Sequence, residues 1–161
     1  MDTNKECNLN LPQPYIDRII MWNEERELLS TFNVETEYAM LMEEYKELQE
    51  ALLAGNTYET IDAILDICVV FVGSCFKATL CGANIQTTLP AYKLFATIVE
   101  TAFEEIRKLQ YEPNCCFNEC LLEIESRVGS INNTTGKWEK DKSPRAQMSW
   151  YKANYKLCRL Q

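Results

Sequence analysis

Glu44 and Glu47 lie three residues apart, and Asp62 and Asp66 lie four apart. Both spacings bring side chains to one face of a helix. Carboxylate oxygens are hard donors that suit magnesium, with manganese as a second choice. The second pair is the more telling. It stands inside Thr60-Ile-Asp-Ala-Ile-Leu-Asp-Ile-Cys-Val-Val-Phe-Val72, which is apolar almost all round and reads as a buried helix. Burying one unpaired carboxylate costs several kcal/mol. Two like charges about 4 Å apart add roughly 4 kcal/mol at an effective dielectric of 20. Lysine or arginine could offset this, but the helix has no basic residue before Lys77. Protonation or a divalent cation are the other ways out.

The first pair needs its own placement. Met40, Leu41, Leu48, Ala51 and Leu52 form an apolar stripe, with Glu44 and Glu47 at its edge and Glu43, Lys46 and Glu50 further outward. The short connection from Gly55 to Thr57 makes the two helices antiparallel neighbours. Glu44 and Glu47 can then face Asp62 and Asp66, with an approximate match in height. Four converging acids without histidine read as an oxygen-ligated magnesium or manganese site.

Composition removes several chemistries. The chain has no histidine, so the Ser–His–Asp and Cys–His systems and the commonest zinc ligand are absent. A di-iron oxidase on a helical bundle uses Glu-x-x-His and is disfavoured for the same reason. The net charge of -8 repels a nucleic-acid backbone, and the only basic-leaning stretch is Lys137 to Arg159. Double-stranded nucleic acid is therefore not an expected partner. An anionic substrate would need a cation as mediator.

The supporting elements are helical. With 161 residues the chain fits one domain. Residues 1–13 read as a loose leader without a signal peptide, and the expected location is cytoplasmic. Pro14 starts a helix to about Leu29. Asn33 or Thr31 caps a second, Val34 to about Ala54, ended by Gly55. Thr57 caps a third, to about Cys81. A fourth runs from Pro90 to about Gln110, and a fifth from about Cys115 to Arg127. Residues 129–143 read as a loop, and a last helix is expected from about Pro144 to Cys158. No convincing strand alternation is found. The eight cysteines include no Cys-x-x-Cys pair and are expected to be reduced. The apolar run Ile67–Phe76 is far short of the ~20 residues a spanning helix needs, so no membrane is expected. The fold class that follows is all-α, a helical bundle with a four-helix-type core and additional C-terminal helices.

The stretch Phe32-Asn-Val-Glu through Glu43-Glu44-Tyr-Lys-Glu47, followed by Ile61-Asp-Ala-Ile-Leu-Asp66 and an apolar run to Gly73, resembles the all-α nucleoside triphosphate pyrophosphohydrolases. These include MazG-like, dimeric dUTPase-like and phosphoribosyl-ATP pyrophosphohydrolase-like proteins. The resemblance covers roughly residues 15–82, and 87–114 look like an added helix. It implies Mg-dependent hydrolysis of a nucleoside triphosphate, a dNTP above all, to the monophosphate and pyrophosphate. It further implies Glu44, Glu47, Asp62 and Asp66 as metal ligands, with Glu59 the rival of Asp62. Glu43 or Glu44 would act on the attacking water. Trp22 would sit near the base. Asn133 and Lys137 would meet the phosphates, joined by Lys140 or Lys142, although their spacing is one residue longer than the family's Ser-Asn-x-x-Lys. A homodimer or homotetramer is implied as well. The alternative is a non-catalytic helical module that keeps the fold and binds a nucleotide or a protein.

Overall fold

The structure, a computed structural model, describes residues 9–161. Most of the expected leader, Cys7 included, lies outside the described residues. Within the rest of it, Leu9 and Leu11 are buried in the core rather than loose.

Helix α1 spans Gln13–Glu25 and opens with a proline in its first turn. It stops short of Leu29 because the chain turns at Glu27, where φ is +56°. Helix α2 spans Val34–Ala54. The Asn33 side chain accepts the Thr36 N–H at its start, and Gly55 ends it at φ 64°, a conformation glycine adopts without a Cβ penalty. Helix α3 spans Thr57–Leu80, and its cap is Asn56, which accepts the Glu59 N–H, rather than Thr57. A single turn, α4 (Ile85–Thr88), leads to α5 (Tyr92–Lys108) and α6 (Pro113–Ser126).

The fold is all-α, with α3 at its centre. Helices α1, α2, α5 and α6 all pack against it. Ile61, Leu65, Ile67, Cys68, Phe71, Val72 and Cys75 on α3 are shielded from solvent. Among the described residues α3 is the one helix long and apolar enough to cross a membrane, yet 67% of its apolar window is covered by the rest of the protein. Among the described residues one charged pair lies inside: Lys77 Nζ stands 2.9 Å from Glu37 Oε1, and Ser74 Oγ donates to Glu37 Oε2 at 2.6 Å.

The C-terminal third departs from expectation in three ways. The loop over 129–143 contains a hairpin, β1 (Gly129–Ile131) against β2 (Trp138–Lys140), antiparallel with Ser130 opposite Glu139. The last helix is one turn only, α7 (Pro144–Gln147), followed by extended chain and a 3-10 turn at Tyr155–Cys158. The reason is tertiary. Backbone donors that a helix would have used inside itself go to α6 instead: Tyr151 N–H to Ser126 Oγ at 2.8 Å and Ala153 N–H to Glu123 Oε1 at 3.2 Å. Finally, Cys115 and Cys158 form a disulfide across a separation of 43 residues, against the expectation that all thiols are reduced. Cys68, Cys81, Cys116 and Cys120 are free thiols.

Candidate functional site

Helices α2 and α3 bring Glu44 and Glu47 into the electrostatic field of Asp62, and Glu44 into that of Asp66 as well. Glu44 is half-buried, and its Oε2 is shielded from solvent with no hydrogen-bond partner. Burial, followed by the charges of Glu47, Glu43 and Asp62, pushes its carboxyl up to about 7. Glu47 is exposed; desolvation and then Glu43 and Asp62 raise it. Asp66 is raised well above the carboxylate range by burial first, then by Asp62 and Glu44. Glu43 and Glu59 are both exposed and contribute charge at the rim, Glu59 to Glu47.

Three side chains that the sequence did not mark complete this cluster. The Cys120 thiol donates to Asp66 Oδ1 at 3.6 Å. Burial and the nearby acids raise that thiol far above its usual value, so it stays a protonated donor. The Tyr155 hydroxyl donates to Asp62 Oδ1. Glu123 of α6 adds a further carboxylate to the surroundings of Asp66. Cys116 and Cys120 showed helical spacing, but nothing local tied them to Asp66, and Tyr155 fell within an expected helix.

Among the described residues two cations, Arg127 and Lys140, oppose the acids, both from outside α2 and α3. Arg127 lowers the Asp66 carboxyl and Lys140 lowers that of Glu44. They belong to a wall that holds all three tryptophans of the chain. The Arg26 guanidinium lies 4.2 Å from the Trp22 ring centre and 5.3 Å from that of Trp138. Arg127 and Lys140 stand 5.7 and 6.0 Å from the Trp150 ring. Arg26 Nη2 also donates to the Arg127 carbonyl at 2.8 Å, tying α1 to the end of α6. Arg26 Nε, Arg127 Nε and Trp150 Nε1 are buried donors without partners. Buried donors are rarely left so, because each costs about 1–3 kcal/mol. Trp22 thus has one ring face covered by Arg26. Asn133 and Lys137 are exposed at the hairpin turn, whereas Lys140 on β2 is the lysine whose charge reaches Glu44.

The hairpin positions this wall, and Gly129 makes it possible. A Cβ there would stand 2.1 Å from the Glu139 carbonyl oxygen and 2.6 Å from the Trp138 ring. Gly129→Ala is therefore expected to destabilise the protein by about 1–3 kcal/mol and to shift the tryptophan emission. Urea unfolding and fluorescence check both; an unchanged emission maximum would show that Trp138 keeps its seat.

The acids fit a hard cation by chemistry: oxygen-only donors, mutual repulsion across two helices, and one buried carboxylate oxygen lacking a partner. They do not form a closed cage. Among the described residues no three acidic, cysteine or histidine side chains are gathered closely enough to hold a metal as they stand. Binding would require rotation of the glutamates toward Asp62 and Asp66. In comparisons with protein-family models, curated proteins and solved structures, nothing matches the chain.

Proposed function

We propose that the chain hydrolyses a nucleoside triphosphate, a dNTP foremost, to the monophosphate and pyrophosphate with magnesium. The observation that carries this reading is the buried, partnerless Glu44 oxygen, on a carboxyl within the electrostatic reach of Asp62 and Asp66, with a wall of arginine, lysine and tryptophan whose Lys140 acts on it. Glu44, Glu47, Asp62 and Asp66 would hold the metal. When bound, magnesium would neutralise phosphate charge and lower the pKa of its water. The chain's own groups do the rest. Glu43 or Glu44 takes the proton of the attacking water. Arg127 and Lys140, with Lys137 and Asn133 at the turn, receive the phosphates. Trp22 or another ring of the wall stacks on the base. A homodimer or homotetramer belongs to the same proposal; Leu53, 90% exposed on α2, is an apolar group such a contact could cover.

A second reading is a non-catalytic module that binds a nucleotide or a protein, and one observation favours it: the acids are not preassembled into a cage. Pyrophosphate release with magnesium from a panel of dNTPs separates the two. Wild type is expected to release pyrophosphate, Glu47→Ala to lose most of the rate, and Arg127→Gln to raise KM more than it lowers kcat. No release from any nucleotide, together with no magnesium binding, would sink the enzyme reading. Sedimentation at 18.7 kDa alone would sink the oligomer.

A further inference from the structure

The last stretch of chain is strapped onto the bundle along its length, and beyond Cys158 the Leu160 N–H donates to the Gln110 carbonyl at 2.9 Å. The Tyr151 hydroxyl donates to Glu119 Oε2 at 2.6 Å. The Ala153 N–H donates to Glu123. The Tyr155 hydroxyl donates to Asp62 Oδ1. The Cys158 carbonyl accepts the Glu112 N–H at 2.7 Å, and its sulfur is bonded to Cys115. Beneath the strap lies a cavity of about 280 Å³. Glu59, Asp62 and Glu123 line it from the helices, and Lys152, Tyr155 and Lys156 line it from the strap. Of the four acids proposed as ligands, Asp62 lines this cavity, so the strap covers the Asp62 side of the acidic site.

The disulfide is the covalent tie, and it is the tie that redox chemistry can remove. A hydrogen bond contributes little net stability by itself, while a bond that closes a long loop contributes more. Tyr155 sits three residues before Cys158, on the same 3-10 turn. Loosening Cys158 therefore loosens the phenol that orients Asp62. Partners behind a metal ligand typically change affinity by 10–100-fold when lost.

The geometry points to a redox control of the acidic site: the Cys115–Cys158 disulfide holds Tyr155 on Asp62, and its reduction weakens magnesium binding there. This rests on the acids being the magnesium ligands. The reductant is a dithiol. One of its thiolates attacks the disulfide, the S–S bond breaks, and its second thiolate resolves the mixed disulfide. Two electrons and two protons pass to Cys115 and Cys158, and the reductant leaves as its own disulfide. Cys115 is half-buried and Cys158 buried, so attack comes through Cys115. The neighbouring Cys116 does not exchange into the bond readily, because burial pushes its thiol up to about 12.

The test uses the full chain, oxidised and then reduced by a dithiol, with thiol titration to show two new thiols. Backbone amide exchange over residues 150–160 and calorimetry with magnesium alone are read on both forms. Reduction is expected to speed exchange across the strap and to weaken magnesium binding about tenfold or more. Cys158→Ser should match the reduced form without reductant. Tyr155→Phe should bind magnesium as weakly while keeping the strap protected, and reduction should then change its affinity little. Equal magnesium affinity in the oxidised and reduced forms overturns the coupling and leaves the metal reading standing. So does a Tyr155→Phe that binds like wild type. No magnesium binding in either form overturns the metal reading itself, and the coupling with it.

Discussion

Glu44→Gln is expected to remove magnesium-dependent pyrophosphate release and at the same time to stabilise the metal-free protein above pH 7. The two effects share one cause. Glu44 is ionised in the unfolded chain above about 4.5 and in the folded chain only above about 7. Between those values the folded state holds a proton that the unfolded state has lost. Stability therefore falls as pH rises from 4.5 to about 7, and the full penalty remains above that. A rise of this size corresponds to about 3 kcal/mol. Glutamine keeps the shape and discards the charge. Denaturant midpoints of the two proteins should nearly coincide at pH 4.5 and separate by pH 8, with Glu44→Gln the more stable. Asp66 is shifted in the same direction and steepens the wild-type pH dependence.

Magnesium should reverse the order. A ligand that binds only the folded state stabilises it by RT ln(1 + [L]/Kd). Wild type gains this term and Glu44→Gln loses much of it, while the rate falls by roughly 10²–10⁴-fold if Glu44 is the base. A Glu44→Gln protein that is less stable than wild type at pH 8 without metal would mean that the Glu44 carboxylate is already compensated.

How much of this was legible in the sequence depends on whether the signal was local. Helix α2 matches its expected bounds, Val34 to Ala54, because Asn33 and Gly55 act within one turn of the residues they terminate. The electrostatic coupling of Glu44 to Asp62 follows from a two-residue connection and helical spacing. The hairpin was missed because each strand is three residues long, too short to show alternation. Its turn residues were visible: Asn132 Oδ1 accepts the Thr134 N–H, and Gly136 takes φ 70°. The C-terminal helix was over-read because its local pattern ignores Ser126 and Glu123, whose side chains take its backbone donors. The same blindness hid the offsetting charges. Arg127 and Lys140 are far from α3 in sequence, and only the packing of α6 and β2 brings their fields to Asp66 and Glu44.

Lys77 is the instructive contrast, since it is the first basic residue on α3 and the obvious partner for the acids below it. The structure commits it elsewhere. Its side chain is 9% exposed and that of Glu37 is 5% exposed, with 2.9 Å between Nζ and Oε1. Removing one member of such a pair leaves a buried charge unmatched. Lys77→Ala or Glu37→Ala is therefore expected to destabilise the protein by about 3–5 kcal/mol. Replacing both, as Glu37→Leu with Lys77→Met, should recover most of that loss, because two desolvated charges are exchanged for packing; the single Ser74 proton then turns to the Val70 carbonyl, 2.9 Å away. Denaturant unfolding of the two single variants and the double variant forms the test, and a double variant as unstable as the sum of the singles would show that the pair is not coupled. The stabilisation by magnesium supplies a further distinction. It should persist in the folded double variant, because Lys77 and Glu37 staple α2 to α3 without entering the field of Asp66. A loss of that stabilisation would place Lys77 among the residues that set the charge of the site.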